Sequence, residues 1–185
     1  MTHPELIVTT LDRHLDHEVS LVLYGRSSIN LGFSDPPSAT SGTMDLDSIL
    51  RLSTWPTLQA DDNFWDAVEK TNRELSAQGL YIAHLFDELQ VFLRPDWEPQ
   101  IVPITRPPLR FLRLFRPATL DLILTKMMRG DDAQDLEDIA FLIRHDGVTR
   151  GQLEETFPRA RLPEVVELHD AFAKAKPLVL ALASS

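Results

Sequence analysis

Residues 20–28 read SLVLYGRSS, and residues 43–47 read TMDLD. The first stretch is a short apolar run of β-forming residues that ends at Gly25, which is typical of a buried strand followed by a turn. The serines after this turn suit the start of a short helix over 27–31. The second stretch alternates polar and apolar residues and predicts another strand, over 43–50. These two strands begin a sheet.

The rest of the chain supplies further strands and then helices alone. Apolar residues at helical spacing predict helices over 4–18 and 61–78, and turn-forming residues predict a loop over 32–42. Residues 109–116 fit a helical face or a strand, and the prolines that bracket the run favour a strand. The other predicted elements are strands over 80–86, 89–93 and 101–104, and helices over 118–129, 132–145, 149–157 and 163–183.

This order of elements predicts an α+β fold: a mixed sheet with an N-terminal helix and a C-terminal helical portion. Residues 1–116 form the α/β core in this interpretation. Residues 117–185 form the helical portion, packed on the core in a single compact unit.

Composition restricts the classes of function. With 185 residues, 43% of them hydrophobic, the chain has enough apolar surface to bury a core. A net charge of −10 argues against proteins that coat duplex nucleic acid or bind membrane surfaces, since both need excess Lys and Arg. The chain has no cysteine, and no apolar run approaches the roughly 18 residues of a membrane span. The N-terminus lacks a basic region and a long apolar run, so we expect no signal peptide, a cytoplasmic location and no membrane partner.

Residues 105–130 are locally basic, with six bases and one acid, a net charge of +5. Such a segment is a candidate anion-binding surface. Its arginines alternate with phenylalanines, so it is either an exposed strand whose arginine stems cover apolar surface or a groove for RNA or an acidic partner. The arginines concerned are Arg106, Arg110, Arg113 and Arg116.

Two short motifs suggest phosphate and metal chemistry. Asp45 and Asp47 share one face of their predicted strand, and like charges at that distance are unfavourable unless a divalent cation such as Mg²⁺ lies between them. The alternative is a solvated pair. Gly25, followed by Ser27 and Ser28, suits a phosphate cradle, because glycine admits the backbone and helix N-terminal N–H groups face the anion. The alternative is a simple turn with a serine cap.

A third motif pairs opposite charges on consecutive helices. Lys126 and Arg129 lie three residues apart, and Asp135 and Asp138 repeat that spacing. A helical hairpin would aim the cations at the anions. The result is either a structural salt-bridge network or part of a functional site.

Taken in order, these motifs resemble a known family. A Gly-x-Ser turn after a strand, a Thr-x-Asp-hydrophobic-Asp strand and a helix pair reading DLILTKMMRG and DLEDIAFL are similar to the nucleotidyltransferase superfamily, with its polymerase-beta-like fold. Within that superfamily the chain resembles the minimal bacterial branch that contains the AbiEii-type toxins. The resemblance spans residues 4–145.

The resemblance implies Mg²⁺-dependent transfer of a nucleoside monophosphate from an NTP to an acceptor hydroxyl, such as that of an RNA or tRNA 3′ end. It also implies a toxin role with a cognate antitoxin protein. Its residue roles are metal binding by Asp45 and Asp47, phosphate binding by Gly25, Ser27, Ser28, Lys126 and Arg129, and an orienting or basic role for Asp135.

The sequence departs from the family pattern at three places. Arg26 stands where the family favours Gly or Ser, and the loop over 33–42 lengthens the interval before Asp45. The third carboxylate expected on a later strand is Asp87, Glu88 or neither. One alternative is therefore a catalytically degenerate module of the same fold that acts through a nucleotide or protein partner. Another is a partner-binding domain whose aspartates are solvated.

Overall fold

The computed structural model describes residues 1–183, except for the side chain of His84. The chain divides into two compact units. The first comprises Met1–Asp87 and Ile101–Arg116, and the second comprises Glu88–Gln100 and the residues from Pro117 onward. The segment Glu88–Gln100 thus joins the second unit, whereas the sequence-based division at residue 116 kept it with the first.

The first unit is a five-stranded mixed sheet with four helices. Its strands are β1 (Val19–Tyr24), β2 (Asp45–Leu50), β3 (Tyr81–Asp87), β4 (Val102–Ile104) and β5 (Leu112–Arg116). Its helices are α1 (His3–His14), α2 (Gly25–Gly32), α3 (Trp55–Gln59) and α4 (Asp62–Leu75). The strand order is β3-β2-β1-β5-β4, in which β1 is parallel to β5 and antiparallel to β2, and β2 is parallel to β3. The predicted α+β class is confirmed.

Local sequence explains where the two long helices of this unit begin. At α1, Thr2 and Glu5 form a reciprocal capping box. At α4, the Asp61 side chain accepts a hydrogen bond from the N–H of Phe64 and caps the helix. Helix α3 was not predicted, and no side-chain cap marks its start.

The helices α1 and α4 pack against one face of the sheet. The buried residues they contribute include Ile7, Val8, Leu11, Phe64 and Ala67, and those of the sheet include Leu21, Leu23, Leu46, Ile82, Leu112 and Leu114. Since side chains alternate across a strand, a fully buried Leu46 on this face directs its neighbours Asp45 and Asp47 to the opposite face. We call that opposite side the carboxylate face.

Arg116 at the end of β5 packs tightly against the end of α2. Its guanidinium lies 3.9 Å from the centre of the Phe33 ring, and its Nε donates to the carbonyl of Gly32. A Cβ placed on Gly32 would lie 2.6 Å from Cδ of Arg116. Non-bonded heavy atoms do not approach a Cβ this closely in protein structures, so one of the two atoms would have to move. Glycine at this position therefore makes room for the arginine stem.

The variant Gly32→Ala is expected to lose about 1–3 kcal/mol of unfolding free energy, because the added methyl forces Arg116 from its packed position. Chemical denaturation measures the change. Gly42→Ala is the matched control, since nothing lies within 4 Å of a Cβ at that position. Equal stabilities for the two variants would contradict the prediction.

His17, which follows α1, joins two carboxylates. Its ring nitrogens lie 2.6 Å from Asp16 Oδ1 and 2.8 Å from Asp61 Oδ2. The hydrogen bonds to Asp16 and Asp61 raise the pKa of His17 above its ordinary value of 6.5. The contribution of protonated His17 to the stability of the folded protein is therefore fully present below pH 6.5. It is lost as the pH rises through the raised pKa of this residue.

The variant Asp61→Asn is expected to lower the pKa of His17, because the amide removes one negative partner while an asparagine still caps α4. An NMR titration of the imidazole signals measures it. His169, whose Nε2 donates to the carbonyl oxygen of Pro163 at 3.0 Å, is the internal control. An unchanged His17 titration would contradict the interpretation.

The second unit is helical. Its helices are α5 (Thr119–Lys126), α6 (Ala133–Asp146), α7 (Arg150–Thr156) and α8 (Val166–Leu182), and they confirm the predicted helical portion. The predicted strand over 89–93 is wrong. Glu88–Gln90 is a 3-10 turn, and Phe92 packs edge-on against Phe172 at 5.6 Å, so the buried residues Val91, Phe92 and Leu93 belong to the core of the helical unit. No described helix has the length and apolarity needed to cross a membrane.

Candidate functional site

Asp45 and Asp47 lie beside the start of α2. Both side chains are half-buried on the carboxylate face. Gly25 opens α2 with a φ of +69°, a left-handed conformation that favours glycine, and a Cβ there would lie 3.4 Å from Oδ2 of Asp47. Ser27 Oγ donates to the backbone carbonyl of Asp45 at 2.9 Å. The structure therefore brings the predicted carboxylate pair and the predicted glycine turn together.

The two serines of the turn support the backbone. Ser27 donates to the carbonyl of Asp45, and Ser28 donates to the carbonyl of Gly25 at 2.8 Å. Both serines are buried, at 2% and 0% exposure. Their hydroxyl protons thus hold the turn in place, and the groups at this turn that suit an anion are the backbone N–H groups of the first turn of α2.

Tyr24 lies directly across from Asp47 in the pairing of β1 with β2. Burial raises the pKa of the Tyr24 phenol well above its ordinary value, and the charges of Asp47 and Asp45 raise it further. The phenol stays protonated at any physiological pH. Burial is the larger cause, and the two aspartates add to it because their negative charge disfavours a phenolate beside them.

No third carboxylate joins the pair among the described side chains. Asp87 pairs with Leu50, which puts it on the side of the sheet opposite to Asp45 and Asp47. Glu88 belongs to the second unit. In the described part of the chain, no group of three or more His, Cys, Asp or Glu side chains is placed to hold a metal. A cation on this face would take two protein carboxylates and complete its shell from water and phosphate, a common arrangement for Mg²⁺.

Glu88 has structural partners in the second unit. Its Oε2 accepts from Trp97 Nε1 at 2.9 Å and from Arg161 Nη2 at 3.0 Å. It is also only 7% exposed. These bonds give Glu88 a place in the helical core instead of the role of a third metal ligand.

The charged helix motif forms a cluster within the second unit in which Lys126, Asp135 and Asp138 are buried and Arg129 is exposed. Lys126 Nζ donates to Asp135 Oδ1 at 2.9 Å and to Asp138 Oδ2 at 2.7 Å, and Arg129 Nε donates to Asp135 Oδ2 at 2.6 Å. Burial acts to raise the pKa of Asp135, but Arg129 and Lys126 outweigh it and hold the pKa below its usual value. The predicted pairing of cations with anions between α5 and α6 is present, in the geometry of a salt-bridge network.

The four arginines of the basic segment do not share one surface. Arg116 is buried at 8% exposure, and Arg106 donates to the carbonyl of Phe33 at 2.7 Å. Arg113 forms an ion pair with Glu18, and Arg110 lies over the ring of Phe111. Arg106, Arg110 and Arg113 are exposed. The buried contacts of Arg116 with Gly32 and Phe33 favour a structural role for that residue.

Sequence reasoning missed two features of these units. The aromatic residues on the carboxylate face are Tyr24, Tyr81 and Phe86. Their position depends on which strands pair, and no local pattern carries that information. The other feature is the ion pair of Arg94 with Asp121, which is fully buried in the second unit.

Comparisons of the chain with protein-family models, with curated proteins and with solved structures found no match. A functional interpretation therefore depends on the geometry of these residues.

Proposed function

We propose that the chain binds a Mg²⁺–NTP complex at Asp45 and Asp47 and transfers the nucleoside monophosphate to an acceptor hydroxyl, releasing pyrophosphate. One observation carries the proposal. Two carboxylates on one strand face lie beside a glycine-led helix start, where a Cβ at Gly25 would lie 3.4 Å from Asp47. The proposed metal ligands and the proposed phosphate site thus adjoin each other within one unit.

The donor set fits the metal. Mg²⁺ is commonly held by one or two carboxylates together with substrate phosphates and water, and it neutralises the charge of a triphosphate when bound. Asp45 and Asp47 supply the carboxylates. Asp47 faces the start of α2, so phosphates beside it meet backbone N–H groups and the positive end of the helix dipole. Gly25 keeps the approach open because it has no side chain.

A nucleotide-binding module without turnover is the second candidate. It is favoured by the position of Asp87, which lies on the other side of the sheet. A site with two carboxylates has one negatively charged metal ligand fewer than the nucleotidyltransferase superfamily usually offers. The transfer reaction and the binding reaction are separable, because only the first releases pyrophosphate.

Other roles implied by the resemblance remain predictions. They are contacts of Lys126 and Arg129 with nucleotide phosphates, an orienting role for Asp135, an RNA acceptor, and an antitoxin partner. In the structure Lys126 donates to Asp135 and Asp138, which belong to the same unit.

A thermal-shift series tests nucleotide binding. Wild-type protein is heated with each of the four NTPs, with and without Mg²⁺. A ligand at about 100 times its Kd stabilises the folded state by roughly 2.7 kcal/mol, which is a clear shift in Tm. We expect a shift that needs both Mg²⁺ and NTP and that disappears in Asp45→Asn/Asp47→Asn.

The double variant Asp62→Asn/Asp66→Asn is the matched control. It removes the same two charges from exposed positions on α4 of the same unit. We expect it to keep the Mg²⁺–NTP shift. A shift that survives in Asp45→Asn/Asp47→Asn, or the absence of any shift in wild type, would contradict the proposed function.

A further inference from the structure

We propose that Tyr81 is the stacking platform for the nucleobase of the NTP whose phosphates bind at Asp45 and Asp47. The inference rests on the proposed function and adds a residue that recognises the substrate's base. Tyr81 lies on β3, whereas the proposed metal ligands lie on β2 and the proposed phosphate site lies at the start of α2.

Both tyrosines of the chain flank the carboxylate pair. Tyr24 on β1 lies opposite Asp47, and Tyr81 on β3 lies beside Asp45. Paired residues of neighbouring strands point to the same side of a sheet, so both rings share the carboxylate face. The two aspartates are thus bordered by an aromatic residue on each neighbouring strand.

The two rings differ in what they contact. Tyr24 is half-buried, and the centre of its ring lies 6.3 Å from that of Phe86. The two rings therefore pack against each other across β2. Tyr81 is 45% exposed. A ring already packed on another side chain has less surface for a ligand, and Tyr81 has the accessible surface that a base would cover.

The spacing suits a nucleotide. Neighbouring strands lie about 4.8 Å apart, which is comparable with the width of the ribose that separates a base from its α-phosphate. Phosphates over Asp45 and Asp47 therefore leave the base within reach of the next strand. A lone exposed aromatic is ordinary on a protein surface. Its place beside Asp45 on the carboxylate face is the feature that indicates a ligand.

Stacking on a phenol ring discriminates little between bases, because every base has a π-face. If the base stacks on Tyr81, we expect similar affinities for all four Mg²⁺–NTP complexes. We also expect an inorganic triphosphate, which has no base, to bind more weakly than an NTP, and the difference is the contribution of stacking.

Calorimetric titrations of Mg²⁺–tripolyphosphate and Mg²⁺–ATP into wild type, Tyr81→Ala and Tyr81→Phe test the inference. Alanine substitution of a stacking aromatic costs about 1–3 kcal/mol per base, so we expect Tyr81→Ala to weaken ATP binding about 5- to 150-fold. Tyr81→Phe keeps the ring and is expected to keep the affinity. Tripolyphosphate binding is expected to be equal in all three proteins, which also shows that Tyr81→Ala is folded.

The failures of the two proposals differ. If Tyr81→Ala binds ATP as tightly as wild type does, the platform is overturned and the metal–phosphate site stands. If Tyr81→Phe weakens ATP binding as much as Tyr81→Ala does, the hydroxyl rather than the ring is responsible and the stacking assignment is again overturned. If wild type binds neither ligand, or if Asp45→Asn/Asp47→Asn binds tripolyphosphate unchanged, the proposed function itself fails.

Discussion

Replacing Lys126 with methionine is expected to lower the unfolding free energy of the second unit by about 3–5 kcal/mol, the usual cost of removing one partner from a buried ion pair. Lys126 and Asp138 are 7% and 1% exposed, and Asp138 loses the Lys126 ammonium as a donor in this variant. Methionine keeps the length of the stem, so the change isolates the charge. Hydrogen exchange at the amides of α6 measures the loss locally.

Lys174→Met is the matched control. Lys174 forms an ion pair with Asp131 in the same unit, but both side chains are more than half exposed, at 62% and 54%. Exposed pairs contribute little, so exchange at α6 is expected to stay as in wild type. Comparable losses in the two variants would contradict a buried network at Lys126.

The same network has a pH dependence with a definite sign. The pKa of Asp135 lies below the ordinary value of 3.8, since Arg129 and Lys126 outweigh the effect of burial. Its contribution to stability is therefore present at neutral pH and is lost as the pH falls from about 3.8 through the lower folded-state pKa. The unfolding free energy of wild type, measured by chemical denaturation at several pH values, is expected to fall across that range.

Removing either carboxylate of the pair is expected to reduce pyrophosphate release by at least about 100-fold, a typical effect of losing one electrostatic stabiliser of a transition state. Asn matches Asp in shape, so Asp45→Asn and Asp47→Asn change charge rather than packing. Total RNA with each of the four NTPs supplies acceptor and donor, and released pyrophosphate is the readout.

Two ligands of one metal should act as a unit in this assay. The rate of pyrophosphate release is therefore expected to fall about as far in the double variant as in either single variant, because the metal is absent in all three. Additive losses would contradict a shared metal. Mg²⁺–NTP binding without pyrophosphate release in wild type would favour the binding module over the transferase.

Local sequence was sufficient for the part of the site that lies on β1, α2 and β2. The period of two along a strand places Asp45 and Asp47 on one face, and a glycine after an apolar run marks the turn at Gly25. Both features depend only on neighbours in the chain, and the structure has both.

Local sequence patterns could not predict which strands pair with each other or in which register. Tyr81 lies beside Asp45 because β3 pairs with β2 across 36 positions of sequence, and Asp87 faces away because a register shift precedes it on β3. Residues 89–93 have the composition of a strand, but Phe92 packs against Phe172 of α8. Apolar runs of this length do not distinguish between the two environments.

The most direct test of the central claim, that Asp45 and Asp47 hold the metal of a nucleotide complex, is paramagnetic broadening of backbone amide NMR signals by substoichiometric Mn²⁺ in the presence of an NTP. Mn²⁺ shares the oxygen ligands of Mg²⁺. We expect selective broadening at the amides of Tyr24, Gly25, Asp45 and Asp47, and its loss in Asp45→Asn/Asp47→Asn. Broadening centred on other residues, or unchanged in the double variant, would contradict a metal site at these two aspartates.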